Sequence, residues 1–115
     1  MPSAAKTKHK IHGWAAALRR RFPTAFPVSV RLCQMDDRFG DADLTGDDDK
    51  RRFVIRIESR LTTALQIHFL VHEWAHCLRW DHRHDVGDAD WDAHDGAWGV
   101  HYAEVYRYVF HGDQT

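Results

Sequence analysis

From Leu61 to Trp80 the chain is apolar on nearly every side of a helix. Leu61, Ala64, Leu65, Ile67, Phe69, Leu70, Val71, Trp74, Ala75 and Leu78 take up most of its circumference at 3.6 residues per turn. A helix with so little polar surface runs through the middle of its domain. Ser59 or Thr62 is positioned to cap its start. The rest of a 115-residue chain must then be laid around this one element. Its few polar residues, among them His72, Glu73 and His76, need a reason, because an unpartnered polar group is expensive to bury.

The remaining pattern is that of one small α+β domain. Residues 1–10 read as a flexible basic leader and residues 11–115 as a single domain, long enough to bury a core without disulfides. An amphipathic helix is expected from about Ile11 to Phe22, with Trp14, Ala17 and Leu18 apolar and the arginines opposite. Pro23 and Pro27 close it. Val28, Val30 and Leu32 alternate with polar residues and predict a strand over 28–34. Phe53, Ile55 and Ile57 alternate with Arg56 and Glu58 and predict a clearer one. Between them, "GDADLTGDDDK" offers Asp41, Asp43 and Thr45 at calcium-loop spacing. Arg52 stands where such a loop needs a bidentate glutamate, so a turn with a short strand near Asp43 to Thr45 is expected instead. An acidic loop follows Trp80, and a last helix from about His94 to Phe110 carries Trp98, Tyr102, Val105 and Val109 on one face.

Composition narrows the function classes. The formal net charge is −1, so no whole-protein field calls for nucleic acid or an anionic membrane. The early cluster Lys6, Lys8, Lys10, Arg19, Arg20 and Arg21 reads as a solvated tail and helix face. The N-terminus has no apolar h-region and no apolar run is long enough to span a bilayer, so a cytoplasmic protein is expected. Cys33 and Cys77 are too few for a disulfide framework and read as reduced thiols. Ten histidines, by contrast, make a metal site worth seeking.

HEWAH, residues 72–76, supplies one. Residues four apart share a helix face, so His72 and His76 can point two imidazoles at one ion. Glu73 lies roughly 100° round the helix, beside that ion and not on it. A general base for an activated water belongs there. His68 extends the stripe by one turn, but three histidines spaced by four cannot all reach one ion from a straight helix. It is read as a core or supporting residue. Zn2+ is the expected metal, with three protein ligands and one open position.

The third ligand has three candidates on spacing alone: His82, His94 and an acidic residue of the loop between them. HEWAHCLRWDH fits the metzincin frame HExxHxxGxxH except that Arg79 replaces the glycine that lets the chain turn back. The only methionines, Met1 and Met35, lie upstream, so the Met-turn is missing. The same stretch resembles the YbeY-type endoribonuclease signature HGxxHxxGxDH through His72, His76, Asp81 and His82, with Glu73 and Arg79 in place of its glycines. That resemblance implies a metal-dependent single-strand endoribonuclease. A further alternative is a catalytically silent zincin-fold binding protein.

HEWAHCLRW followed by HDGAWG resembles the small SprT-like zinc metallopeptidases, including compact phage-type members, over residues 53–108. The resemblance implies a minimal zincin-like fold: an N-terminal helix, a small antiparallel sheet, a buried active-site helix and a C-terminal helix. It implies His72, His76 and His94 as metal ligands and Glu73 as the base. It also implies that Trp98 packs the last helix on the active-site helix. The implied activity is hydrolysis of protein or peptide substrates by a zinc-activated water. The zinc ribbon and DNA-binding appendage of longer relatives have no counterpart here, so nucleic acid is not implied as a partner. Asp92 and Asp95 flank His94 and are candidates to orient its imidazole. Tyr102, Tyr106 and His101 are candidate donors to the oxyanion. In zincins the strand before the active-site helix often presents an edge to the substrate, which here gives Arg56 or Glu58 a possible contact. Substrate identity and oligomeric state are not legible.

Overall fold

The computed structural model describes residues 10–80 and 96–112. Among the described residues, three helices and one three-stranded sheet make an α+β fold: α1 (Lys10–Arg21), β1 (Val28–Cys33), β2 (Gly40–Thr45), β3 (Arg52–Glu58), α2 (Thr63–Arg79) and α3 (Gly96–Phe110). A short 3-10 turn, Asp48–Lys50, lies between β2 and β3.

α2 is the hub, packing against α1, α3, β2 and β3. Leu70, Val71, Trp74 and Ala75 have no exposed surface. At about 1.5–3 kcal/mol for each large apolar side chain fully buried, this stretch is a main source of the fold's stability. Thr62 caps the helix, its Oγ1 accepting from Leu65 N at 3.3 Å. Gln66, buried in the first turns, donates to the Ser59 and Leu61 carbonyls at 3.2 Å each. Trp74 donates its indole N–H to the Phe22 carbonyl at 3.1 Å, which fastens α2 to the end of α1. The expectation of burial on all sides holds except along one stripe, and Ala64 and Leu65 of the first turn are exposed.

α1 buries Ile11, Ala15 and Leu18, the spacing of a single helix face. Trp14 and Ala17, expected on that face, are only partly buried at its margin. Arg19 does more than face solvent: its Nε and Nη2 both donate to the Val28 carbonyl, at 3.1 and 3.0 Å. It thereby fixes the start of β1 to the end of α1.

The sheet is mixed, in the order β1-β3-β2, and this corrects the expected antiparallel sheet. β1 runs parallel to β3, with Val28 opposite Phe53, Val30 opposite Ile55 and Leu32 opposite Ile57. β2 runs antiparallel to β3. The reason lies in burial. β3 carries Phe53, Ile55 and Ile57, all fully buried, and takes the centre. β2 carries Asp41, Asp43 and Thr45 on its outward face and suits an edge. The β2–β3 connection turns at Gly46, whose φ is +89°. A Cβ there would lie 2.4 Å from the Lys50 carbonyl oxygen, so only glycine fits. Gly40–Thr45 being a strand also removes the calcium-loop geometry weighed above.

Glu58, at the end of β3, is 4% exposed. Its carboxylate accepts from Met35 N at 2.8 Å, from Arg60 N at 2.6 Å and from the Arg60 guanidinium. The Arg60 side chain beside it, then the two backbone N–H groups, hold its pKa down to about 2. Glu58 is thus a buried clasp between the β1–β2 connection and the start of α2. β3 is not an edge, so the expected substrate contact from Glu58 is withdrawn. Arg56 instead forms a bidentate pair with Asp41 across the sheet surface.

Candidate active site

α2 leaves one stripe open. Leu65, His68, Phe69, His72 and His76 lie along it at three- and four-residue spacing, each at least partly exposed, while eight residues of the helix are buried. Phe39 and the start of β2 border one side of the stripe, through the Phe39 and Phe69 rings at 5.5 Å. α3 borders the other, through Trp98 at 5.1 Å from the His72 ring and 5.4 Å from the His76 ring.

His72 and His76 converge. Their Nε2 atoms are 3.3 Å apart, at the long edge of a hydrogen bond. Two imidazole nitrogens each about 2.0–2.1 Å from one tetrahedral ion would be about 3.3 Å apart. The separation of the two nitrogens is thus compatible with both being ligands of one ion. Glu73 Oε2 is 4.0 Å from His72 Nε2, beside the point on which the imidazoles converge. Its side chain is 9% exposed, and among the described residues its carboxylate accepts no hydrogen bond. Burial, with the negative charge of Asp41 adding and Arg38 opposing, raises its pKa to about 7. A carboxyl group titrating there is matched to proton transfer near neutral pH.

β2 reaches this site at Gly40. A Cβ at Gly40 would meet the Arg56 carbonyl oxygen and Ile57 Cδ1 at 3.3 Å and Glu73 Oε2 at 3.6 Å. The tight contacts are with β3, and the start of β2 comes within van der Waals range of the carboxylate. Sequence reasoning missed this neighbour. The one available signal was the inward alternation of Gly40, Ala42 and Leu44, masked by the aspartates between them.

The other expected residues divide clearly. His68, one turn before His72, lies among the rings of Phe69, Tyr106 and Phe110, at 5.8, 6.3 and 6.1 Å. Tyr102 stacks on Trp98 at 4.9 Å and meets the His72 ring edge-on at 6.2 Å. Burial and then Tyr106 push its phenol pKa up, so the hydroxyl stays protonated and able to donate. Tyr106 is one turn further along, beside His68. Nothing among the described residues ties His101 to the pair. Cys77 is buried and away from the stripe, its thiol pKa pushed up by burial and by Glu73. His82, His84, Asp92, His94 and Asp95 lie outside the described residues, and within those residues no group of three side chains converges on one ion. No helix among them is long and apolar enough to cross a membrane. No protein-family model, curated protein or solved structure matches this chain.

Proposed function

We propose that this chain is a zinc-dependent metallopeptidase of minimal zincin-like architecture, similar to the compact SprT-like enzymes. The observation that carries the reading is the convergence of His72 and His76 at 3.3 Å with the buried Glu73 carboxylate 4.0 Å from His72. An inert histidine pair has no need of a buried acid that lacks a hydrogen-bond donor.

His72 and His76 would hold the ion, with His94 as the third ligand. Trp98, in the first turn of α3, lies against both imidazoles and lends support to His94, four residues before it in the chain. Zinc, when bound, polarises the scissile carbonyl and acidifies a water. Glu73 accepts that water's proton and delivers it to the leaving amine. The Tyr102 hydroxyl, on the same side as His72, is the candidate donor to the oxyanion. The substrate is a protein or peptide, and both cysteines being free suits a reducing cytoplasm.

The test is hydrolysis of an unfolded protein before chelation, after it, and after zinc is restored, with Glu73→Gln in parallel. Activity that follows zinc and vanishes in Glu73→Gln supports the reading. Chelator-insensitive hydrolysis, or full activity in Glu73→Gln, overturns it.

A further inference from the structure

We propose that the open stripe of α2 beyond His72 is an apolar subsite, and that Phe39 and Phe69 select substrate segments carrying a bulky apolar side chain. The proposal deepens the peptidase reading and rests on it for the cleavage step, though not for binding.

Large exposed apolar side chains are few among the described residues: Phe39 at 56%, Leu65 at 46%, Val100 at 59% and Phe110 at 41%. Three of these four gather at one end of the stripe. Phe39 lies against Phe69, Phe69 against His68, and His68 against Phe110, at 5.5, 5.8 and 6.1 Å between ring centres. Leu65 is one turn before Phe69 on the same helix face. His68 and Phe69 are the turn immediately before His72 and Glu73, so this patch and the candidate active site are one continuous surface.

The backbone supplies the direction. β2 is an edge strand, and its first residue, Gly40, is the one that approaches Glu73. Phe39 immediately precedes it, and the Phe39 carbonyl already accepts from Glu58 N at 2.9 Å on the β3 side. An extended chain added to the outer side of β2 would pass Glu73 at Gly40 and meet Phe39 next. Side chains alternate along such a chain, so one of them falls on the Phe39–Phe69 face.

Charge decides the class of occupant. Around Phe39, residues 36–41 carry three aspartates and one arginine, and Arg56 and Arg60 reach in to pair with Asp41 and Asp36. Arg38 is occupied by Asp37 at 3.1 Å and by Asp41 at 3.6 Å. Arg56 is likewise held by Asp41 and Arg60 by Glu58, so the arginines beside Phe39 are already engaged by carboxylates, which disfavours a phosphate backbone and leaves the surface to an uncharged peptide. Aromatic surface beside arginines that are already paired therefore fits a peptide and not a single-stranded nucleic acid.

The experiment measures binding on zinc-loaded Glu73→Gln, so that cleavage does not intervene. The probes are a short fluorescein-labelled Gly-Ser peptide with one central Phe, its all-Gly-Ser counterpart, and a labelled oligothymidylate. Fluorescence anisotropy should show the Phe peptide bound about tenfold more tightly than its counterpart, the lower end of what burying one such ring supplies. A second substitution, Phe39→Ala, should remove that preference, and Phe39→Leu should restore most of it. Phe39 is exposed, so neither change threatens the core. Equal binding of the two peptides, an unchanged preference in Phe39→Ala, or tighter binding of the oligothymidylate overturns the proposal. Failure of the peptidase reading shows separately: the Phe peptide binds selectively, but the enzyme with Glu73 intact does not cleave it.

Discussion

The indole of Trp98 and the imidazole of His72 meet edge to face with their centres 5.1 Å apart, and through this contact α3 steadies the helix that carries the candidate site. Aromatic pairs of this kind are worth about 0.5–1.5 kcal/mol, which is about two- to tenfold in an affinity that depends on the orientation of the ring. Trp98→Ala is expected to weaken zinc binding within that range, and Trp98→Phe to recover much of the loss. Competition titration with a fluorescent zinc chelator measures both. Equal affinity in wild type and Trp98→Ala would remove the supporting role.

Glu73→Gln should keep its zinc and lose hydrolysis. A positioned general base contributes about 10²–10⁴-fold, so turnover is expected to fall at least about 100-fold. Metal content by mass spectrometry and turnover on the same preparation separate loss of the base from loss of the ion. A variant that has lost both shows only that the site collapsed, and in that case Glu73→Asp becomes the informative comparison, with zinc retained and turnover partial.

Metal content should also identify the third ligand. Wild type is expected to carry about one zinc per chain. His94→Ala should lose it and His82→Ala should keep it. The reverse result would move the chain towards the ribonuclease-like arrangement of His72, His76 and His82, and single-stranded RNA would become the substrate to try.

Glu58 gives a pH dependence that owes nothing to catalysis. Its folded pKa is held down to about 2 from an ordinary value of 4.5, first by the Arg60 side chain and then by the Met35 and Arg60 N–H groups. A depressed carboxyl stabilises the fold above its unfolded pKa and ceases to do so as pH falls through its folded one. Wild type should therefore melt several degrees above Glu58→Gln near neutral pH. The gap should shrink between pH 4.5 and about 2, the window the two pKa values define. Melting curves across that range check the sign. A gap that widened with acid would mean Glu58 is protonated in the folded state.

Local pattern carried some elements into view and hid others. α2 was legible because helical apolar periodicity, a capping threonine and HEWAH all agree over Thr62 to Arg79. β3 was legible because Phe53, Ile55 and Ile57 alternate cleanly. β2 was seen only in part, since small inward residues, Gly40 and Ala42, give little apolar signal between aspartates. The parallel pairing of β1 with β3 leaves no local trace, because it joins residues 25 apart, as in Val28 with Phe53. Glu58 was misjudged for a related reason. Alternation predicts a polar side chain facing water, but Arg60 and the Met35 N–H turn it into a buried acceptor. At the site, the paired histidines and the base could be read from spacing. Gly40, 33 positions before Glu73, could not.

The turn at Gly46 bears on how the sheet assembles in time. It joins β2 to β3 as neighbours along the chain, whereas β1 can pair with β3 only after a much longer loop closes. Short-range pairing forms early and long-range pairing late. β3 therefore acquires its antiparallel partner first and its parallel one afterwards. A side chain forced onto Gly46 should slow folding, while truncation of Val28 should chiefly hasten unfolding. The turn at Gly46 thus bears on the order of strand pairing as well as on the shape of one corner.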